Sequence, residues 1–158
     1  MLTKPVLYSL ASGCLWIVPA ILVAYIVSPV RTTPLEVAAT FAGGIVVAPL
    51  IGVLIGYIAR SFSHRSRAQR IWMALGDLYL ATYLFLLATG FGQVMTDWIM
   101  RGRPGGMQRS LLVDPLLGTV LGLTYTGIVL VLLPLSYVSH VLIGKAWDQG
   151  TFVKETAS

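Results

Sequence analysis

Long apolar runs separated by short polar breaks dominate the chain. Four runs stand out, at about 6–27, 36–59, 71–91 and 115–143. Each meets the requirement of ~20 apolar residues for a helix that crosses a ~30 Å hydrocarbon core. Their punctuation is that of helices. Ser28-Pro29 stops the first, because proline cannot continue the hydrogen-bond ladder. Thr33-Pro34-Leu35-Glu36 opens the second as a capping box, with Thr33 as N-cap, Pro34 at the first helical position and Glu36 reaching back. Arg60, His64, Arg65, Arg67 and Arg70 then form a polar, basic loop. Gly90 and Gly92 lie at the end of the third run. Asp114-Pro115 opens the fourth, which continues to about Ile143, long enough to tilt or to project from the membrane. Residues 144–158 read as a loose polar tail.

This pattern predicts an all-α integral membrane protein, a four-helix transmembrane bundle in a single domain, 1–158. Positive-inside counting sets the direction. Lys4, Arg60, Arg65, Arg67, Arg70, Lys145 and Lys154 share one side, and Arg31, Arg101, Arg103 and Arg109 the other. Both termini are therefore expected in the cytoplasm. Tyr57, Trp72 and Trp147 fall near the inner interface of such a bundle, Tyr25 and Trp98 near the outer one. Trp16 falls at mid-span, where it must pack inside the bundle or against a partner.

Composition agrees: 56% of the 158 residues are hydrophobic, 11% are charged, and the mean hydropathy is +0.82. An ordinary soluble domain carries about 25% charged residues. The net charge of +5 sits mostly in short loops, so it points to anionic lipid headgroups rather than to nucleic acid. Cys14 is the single cysteine and allows no intrachain disulfide; inside an apolar run it is expected to act as a small hydrophobe. The 22-residue run from Val6 to Val27 is longer than a signal-peptide core and no A-x-A site follows, so it reads as a retained helix. The absence of Asn and the excess of Arg over Lys fit GC-rich bacterial codons, and the expected location is the bacterial cytoplasmic (inner) membrane.

Packing signals come next. Thr40, Gly44, Ala48, Gly52 and Gly56 recur every four residues on the second span, and Gly118, Gly122 and Thr126 on the fourth. Such ridges let helix backbones approach closely where lipid supplies no hydrophobic drive. They pack the four helices of one chain, or join this chain to a copy or to other membrane protein chains. Pro19, Pro49 and Pro134 lie inside spans and either shape the bundle or open a cavity.

Candidate chemistry is sparse. Asp77 lies seven residues past Arg70, about 10 Å along a helix; His140 lies five residues before Lys145, about 7.5 Å. Both sit at similar depth on the cytoplasmic half and can pair if the third and fourth spans are neighbours. Ser136 lies one turn from His140, with Tyr137 and Ser139 nearby. A buried intramembrane acid is costly and marks a functional site by default; the plainer reading is a hydrogen bond that fixes helix register. His64 and His140 are the two histidines, too few for bis-histidine haem within the spans, and His140 would ligate a pigment or metal only with help from elsewhere. No cofactor is required. The loop from about Gln93 to Val113 begins with a stretch that extends the third helix or lies in the interface, followed by the basic turn Arg101–Gly106. That turn lacks the Lys-Ser/Thr of a P-loop. Arg60, Arg65, Arg67, Arg70, Arg101 and Arg103 are candidates for headgroup or partner docking. No catalytic triad, paired carboxylates, zinc spacing or dinucleotide fingerprint is present. The leading expectation is a non-catalytic subunit or scaffold of a larger membrane assembly. Behind it come a small dimeric transporter or channel with a proton-sensitive Asp77/His140 element, then a lipid-handling membrane enzyme.

Overall fold

The structure, a computed structural model, describes the backbone of residues 3–27, 41–101, 112–125 and 127–155. It describes their side chains except at 19–27, 96–97, 100–101, 113–114, 122, 125 and 150–155. The described residues are helical, without strands. In chain order they form α1 (Lys4–Val27), α2 (Ala42–Ile58), a 3-10 segment (Ala59–His64), α3 (Arg67–Arg101), α4 (Val113–Tyr125) and α5 (Ile128–Glu155).

Three stretches are long and apolar enough to cross a membrane: Ala42–His64, Arg67–Met95 and Ile128–Gln149. Over its described side chains, Lys4–Val18, α1 is a shorter apolar helix. Large apolar side chains face outward: Val46 is 76% and Leu130 75% exposed, and Leu15, Leu50, Val131 and Leu142 are similarly bare. The buried set includes Ser9, Asp77, Thr89, Thr119, Ser136 and His140. Apolar outside and polar inside is the arrangement that lipid, not water, favours.

Four helices close a ring. α1 packs on α2 and α5, and α3 packs on α2 and α5, while α4 lies outside the ring against α3 and α5. The seams use small residues. A Cβ on Gly13 of α1 would strike the Ala48 carbonyl oxygen of α2, and one on Gly52 would strike the Ser9 carbonyl oxygen and come within 2.7 Å of Gly13 Cα. Gly56 abuts the Ser9 side chain. On the α2–α3 seam, Gly43 meets the Ala88 carbonyl oxygen and Gly92, and Gly44 meets Phe85 and Thr89. The ridge of Gly44, Ala48, Gly52 and Gly56 is thus shared out within the chain: Gly44 faces α3, the other three α1. Gly118 of α4 lies against Leu86.

Several expectations are corrected. The fourth run is not one helix over 115–143. It breaks between α4 and α5 at Gly127, whose φ of 65° is a left-handed conformation that glycine adopts without cost. The tail is not loose through 155, because α5 continues to Glu155. The basic loop shrinks to Arg65 and Ser66, since Arg60 and His64 ride on the 3-10 segment and Arg67 and Arg70 on the first turn of α3. α3 has 35 residues, about 52 Å, and its continuation to Arg101 agrees with the reading that the stretch after Gln93 extends the third helix. Cys14 is exposed rather than buried. The capping box at Thr33–Glu36, Thr40, Arg31, Arg103, Arg109 and Thr126 lie outside the described residues, as do the side chains of Tyr25 and Arg101 and the surroundings of Gly122.

Candidate functional site

α3 and α5 present their polar residues to each other at one depth. His140 Nε2 lies 2.7 Å from Asp77 Oδ2, and both residues are buried, at 3% and 7% exposure. His140 Nδ1 lies 2.7 Å from the Ser136 carbonyl oxygen, one turn back on α5. Ser136 Oγ in turn donates to the Ala74 carbonyl oxygen of α3 at 3.0 Å. The conjecture that α3 faces the last span at this depth is met by α5, and Asp77, His140 and Ser136 come together.

The partners of the imidazole narrow its tautomers. A carbonyl oxygen only accepts, so Nδ1 carries hydrogen and donates to Ser136. Two arrangements then satisfy Nε2. A neutral imidazole accepts a proton from the Asp77 carboxylic acid, or an imidazolium donates to the Asp77 carboxylate. Either way one proton lies between Nε2 and Oδ2 and the pair has no net charge. Neither ring nitrogen is left for a serine hydroxyl, so the group is not a nucleophile–base pair.

The dyad forms part of the wall of a cavity of about 110 Å³ at the centre of the ring. α1 contributes Ser12 and Trp16, α2 Ile51 and Ile55, α3 Thr82 and Phe85, and α5 Ser139 and Ile143. Trp16 thereby takes the interior place that its mid-span position demanded. Thr82 Oγ1 donates to the Leu78 carbonyl oxygen within its own helix, leaving its lone pairs available. Among the described residues, no hydrogen bond reaches Asp77 Oδ1.

Below the dyad, Phe62 of the 3-10 segment is 0% exposed, with its ring centroid 5.3 Å from that of His140 and 5.4 Å from that of Tyr137. The Arg70 guanidinium lies 5.8 Å from the Phe62 centroid and donates to the carbonyl oxygens of Ser63 (2.6 Å) and Arg65 (2.9 Å). Arg70 therefore fastens the turn beneath the cavity. Arg60 lies over the Trp147 ring, and Trp147 Nε1 donates to the Gly56 carbonyl oxygen. Arg65 and Arg67 are exposed. Tyr57, Trp72 and Trp98 are exposed as interfacial anchors would be.

Sequence reasoning missed Ser9 and Gly13, the α1 partners of the α2 ridge, and Phe62, the floor of the site. It also missed a legible signal: Ser66 and Gln69 form a reciprocal capping box that starts α3, with Ser66 N to Gln69 Oε1 at 3.2 Å and Gln69 N to Ser66 Oγ at 3.4 Å. No group of three or more potential metal ligands occurs among the described residues.

No protein-family model matches the chain, and comparison with curated proteins and with solved structures yields no similar sequence or fold.

Proposed function

We propose that the chain is a small polytopic membrane protein that moves a small solute in a proton-sensitive manner, with the Asp77–His140 dyad as its working centre. On this reading it crosses a bacterial cytoplasmic membrane four times, with α1, α2, α3 and α5 as the spans and both termini inside. The observation that carries it is the 2.7 Å contact between two buried ionisable groups on the wall of a cavity. Ionisable residues inside a membrane are expensive and mark ion or substrate pathways. A register-fixing bond needs no cavity beside it. The glycines of the α2 ridge with described contacts serve internal seams, the first of the two uses the sequence offers for them.

The test is reconstitution. Proteoliposomes holding a trapped pH dye are given a proton gradient and a panel of cationic, neutral and anionic solutes of six or fewer heavy atoms. At least one solute is expected to alter the gradient in the presence of wild-type protein and not in empty vesicles, with a tenfold or greater loss in Asp77→Asn. Identity of wild type and empty vesicles across the panel overturns the reading.

A second reading, a non-catalytic subunit of a larger membrane assembly, draws on the apolar groove between α2 and α3. There Val47, Leu50, Leu54, Leu84 and Phe91 offer a seat for a further helix. A stoichiometric partner chain that survives mild-detergent purification favours it.

A further inference from the structure

Resting on that reading, we infer that the solute is a small cation bearing N–H donors, of the ammonium or guanidinium class, and that it binds Asp77 in exchange for the proton of the dyad. The hydrogen-bonding inventory of the cavity argues for it. Asp77 Oδ1 is an acceptor to which no described residue donates. Thr82 and Ser136 have committed their hydroxyl protons to carbonyl oxygens and retain only lone pairs for the cavity. His140 has committed Nδ1–H to Ser136. Ser12 and Ser139 can serve either way. The wall is predominantly apolar, and its few polar atoms are chiefly acceptors, which a guest that donates hydrogen bonds satisfies. Trp16 and Phe85 line the same space, and aromatic rings attract ammonium and guanidinium ions.

Size fits as well. An apolar cavity of about 150 Å³ accepts benzene, with six heavy atoms; the present cavity of about 110 Å³ suits a guest of about four.

Charge balance supplies the exchange. The dyad with its shared proton is neutral. A cation at Oδ1 would leave a net positive charge in a medium of low dielectric constant, which is costly. Loss of the bridging proton from between Nε2 and Oδ2 to bulk water restores neutrality: one cation enters, one proton leaves, and no other bond changes. The Nε2 lone pair and the carboxylate then repel, so the pair parts and both carboxylate oxygens turn to the guest. Asp77 and His140 are the titratable groups among the lining residues. Among their described residues, α1 and α2 present none to the cavity. From the 3-10 segment and the start of α3, Phe62 touches His140 and the Arg70 guanidinium packs on the Phe62 ring, and Tyr137 of α5 makes an edge-to-face contact with Phe62.

The experiment is calorimetric titration of the full chain in nanodiscs with guanidinium, which stays charged at all accessible pH. Urea is its neutral isostere, and each titration is repeated in two buffers of different ionisation enthalpy. The expected result is saturable guanidinium binding, release of about one proton per cation, weaker binding as pH falls, and tenfold or greater weakening in Asp77→Asn. Ser139→Ala, which leaves the dyad intact, is expected to fold normally and to weaken binding a few-fold. Urea binding equal to or tighter than guanidinium binding overturns the inference while leaving the solute-carrier reading intact. So does guanidinium binding without proton release, a measurement that needs no variant to fold. Absence of binding by guanidinium, together with a silent solute panel in proteoliposomes, overturns both.

Discussion

On the α1–α2 side of the cavity, backbone meets backbone. Gly13 and Gly52 leave no room for a Cβ, which would strike the Ala48 and Ser9 carbonyls, and the contacts are van der Waals. On the α3–α5 side, the helices are joined by Ser136 to Ala74 and by His140 to Asp77, both through side chains. Lipid tails are as apolar as a leucine, so burial alone does not drive helices together. Close packing and interhelical hydrogen bonds must do so. The two walls use one device each. Glycine seams draw α1 and α2 tight, while polar side chains link α3 and α5 beside the cavity.

Substitutions should separate the two walls. The largest effect is expected from Gly52→Leu, whose side chain would have to occupy the place of the Ser9 carbonyl and the Gly13 backbone. Overpacking against backbone that cannot yield costs about 3 kcal/mol or more, read as loss of the folded fraction in denaturant titrations in bicelles. On the other wall, His140→Ala leaves Asp77 buried without its partner and is expected to cost about 3 kcal/mol. Asp77→Asn can still donate to Nε2 and should cost less than about 1 kcal/mol. Equal costs for these two variants would show that an amide hydrogen bond does not replace the shared proton. Gly76 lies on the exposed face of α3 one residue from the dyad, with nothing within 4 Å of an added Cβ. Gly76→Ala should therefore stabilise by about 0.8 kcal/mol, in contrast to every seam glycine. Ser136→Ala removes one interhelical bond and is expected to cost about 0.6 kcal/mol.

The sequence made the polar wall easier to read than the glycine wall. Asp77 and His140 stand alone in apolar runs, and counting residues from the flanking Arg70 and Lys145 placed them at one depth. Every-fourth-residue spacing exposed the α2 ridge, but spacing carries no address: Ser9 and Gly13 look like any small residues in an apolar helix. The break at Gly127 was hidden for a related reason. Glycine is common in membrane helices, and nothing local distinguishes one that turns left-handed from one that continues the helix. The early start of α3 and the long end of α5 are hidden because charged and polar residues look like helix ends. Ser66 and Gln69 show that the reverse signal, a start, was present within the basic stretch.

The central claim is that Asp77 and His140 hold one proton between them in a buried site. It is tested most directly by ¹⁵N solid-state NMR of histidine-labelled protein in bilayers, with His64→Gln leaving His140 as the single histidine. The account predicts hydrogen on Nδ1 and an Nε2 resonance displaced by a strong hydrogen bond, with that displacement lost in Asp77→Asn. An Nε2 resonance unchanged by Asp77→Asn, or a His140 carrying no hydrogen on Nδ1, would contradict it.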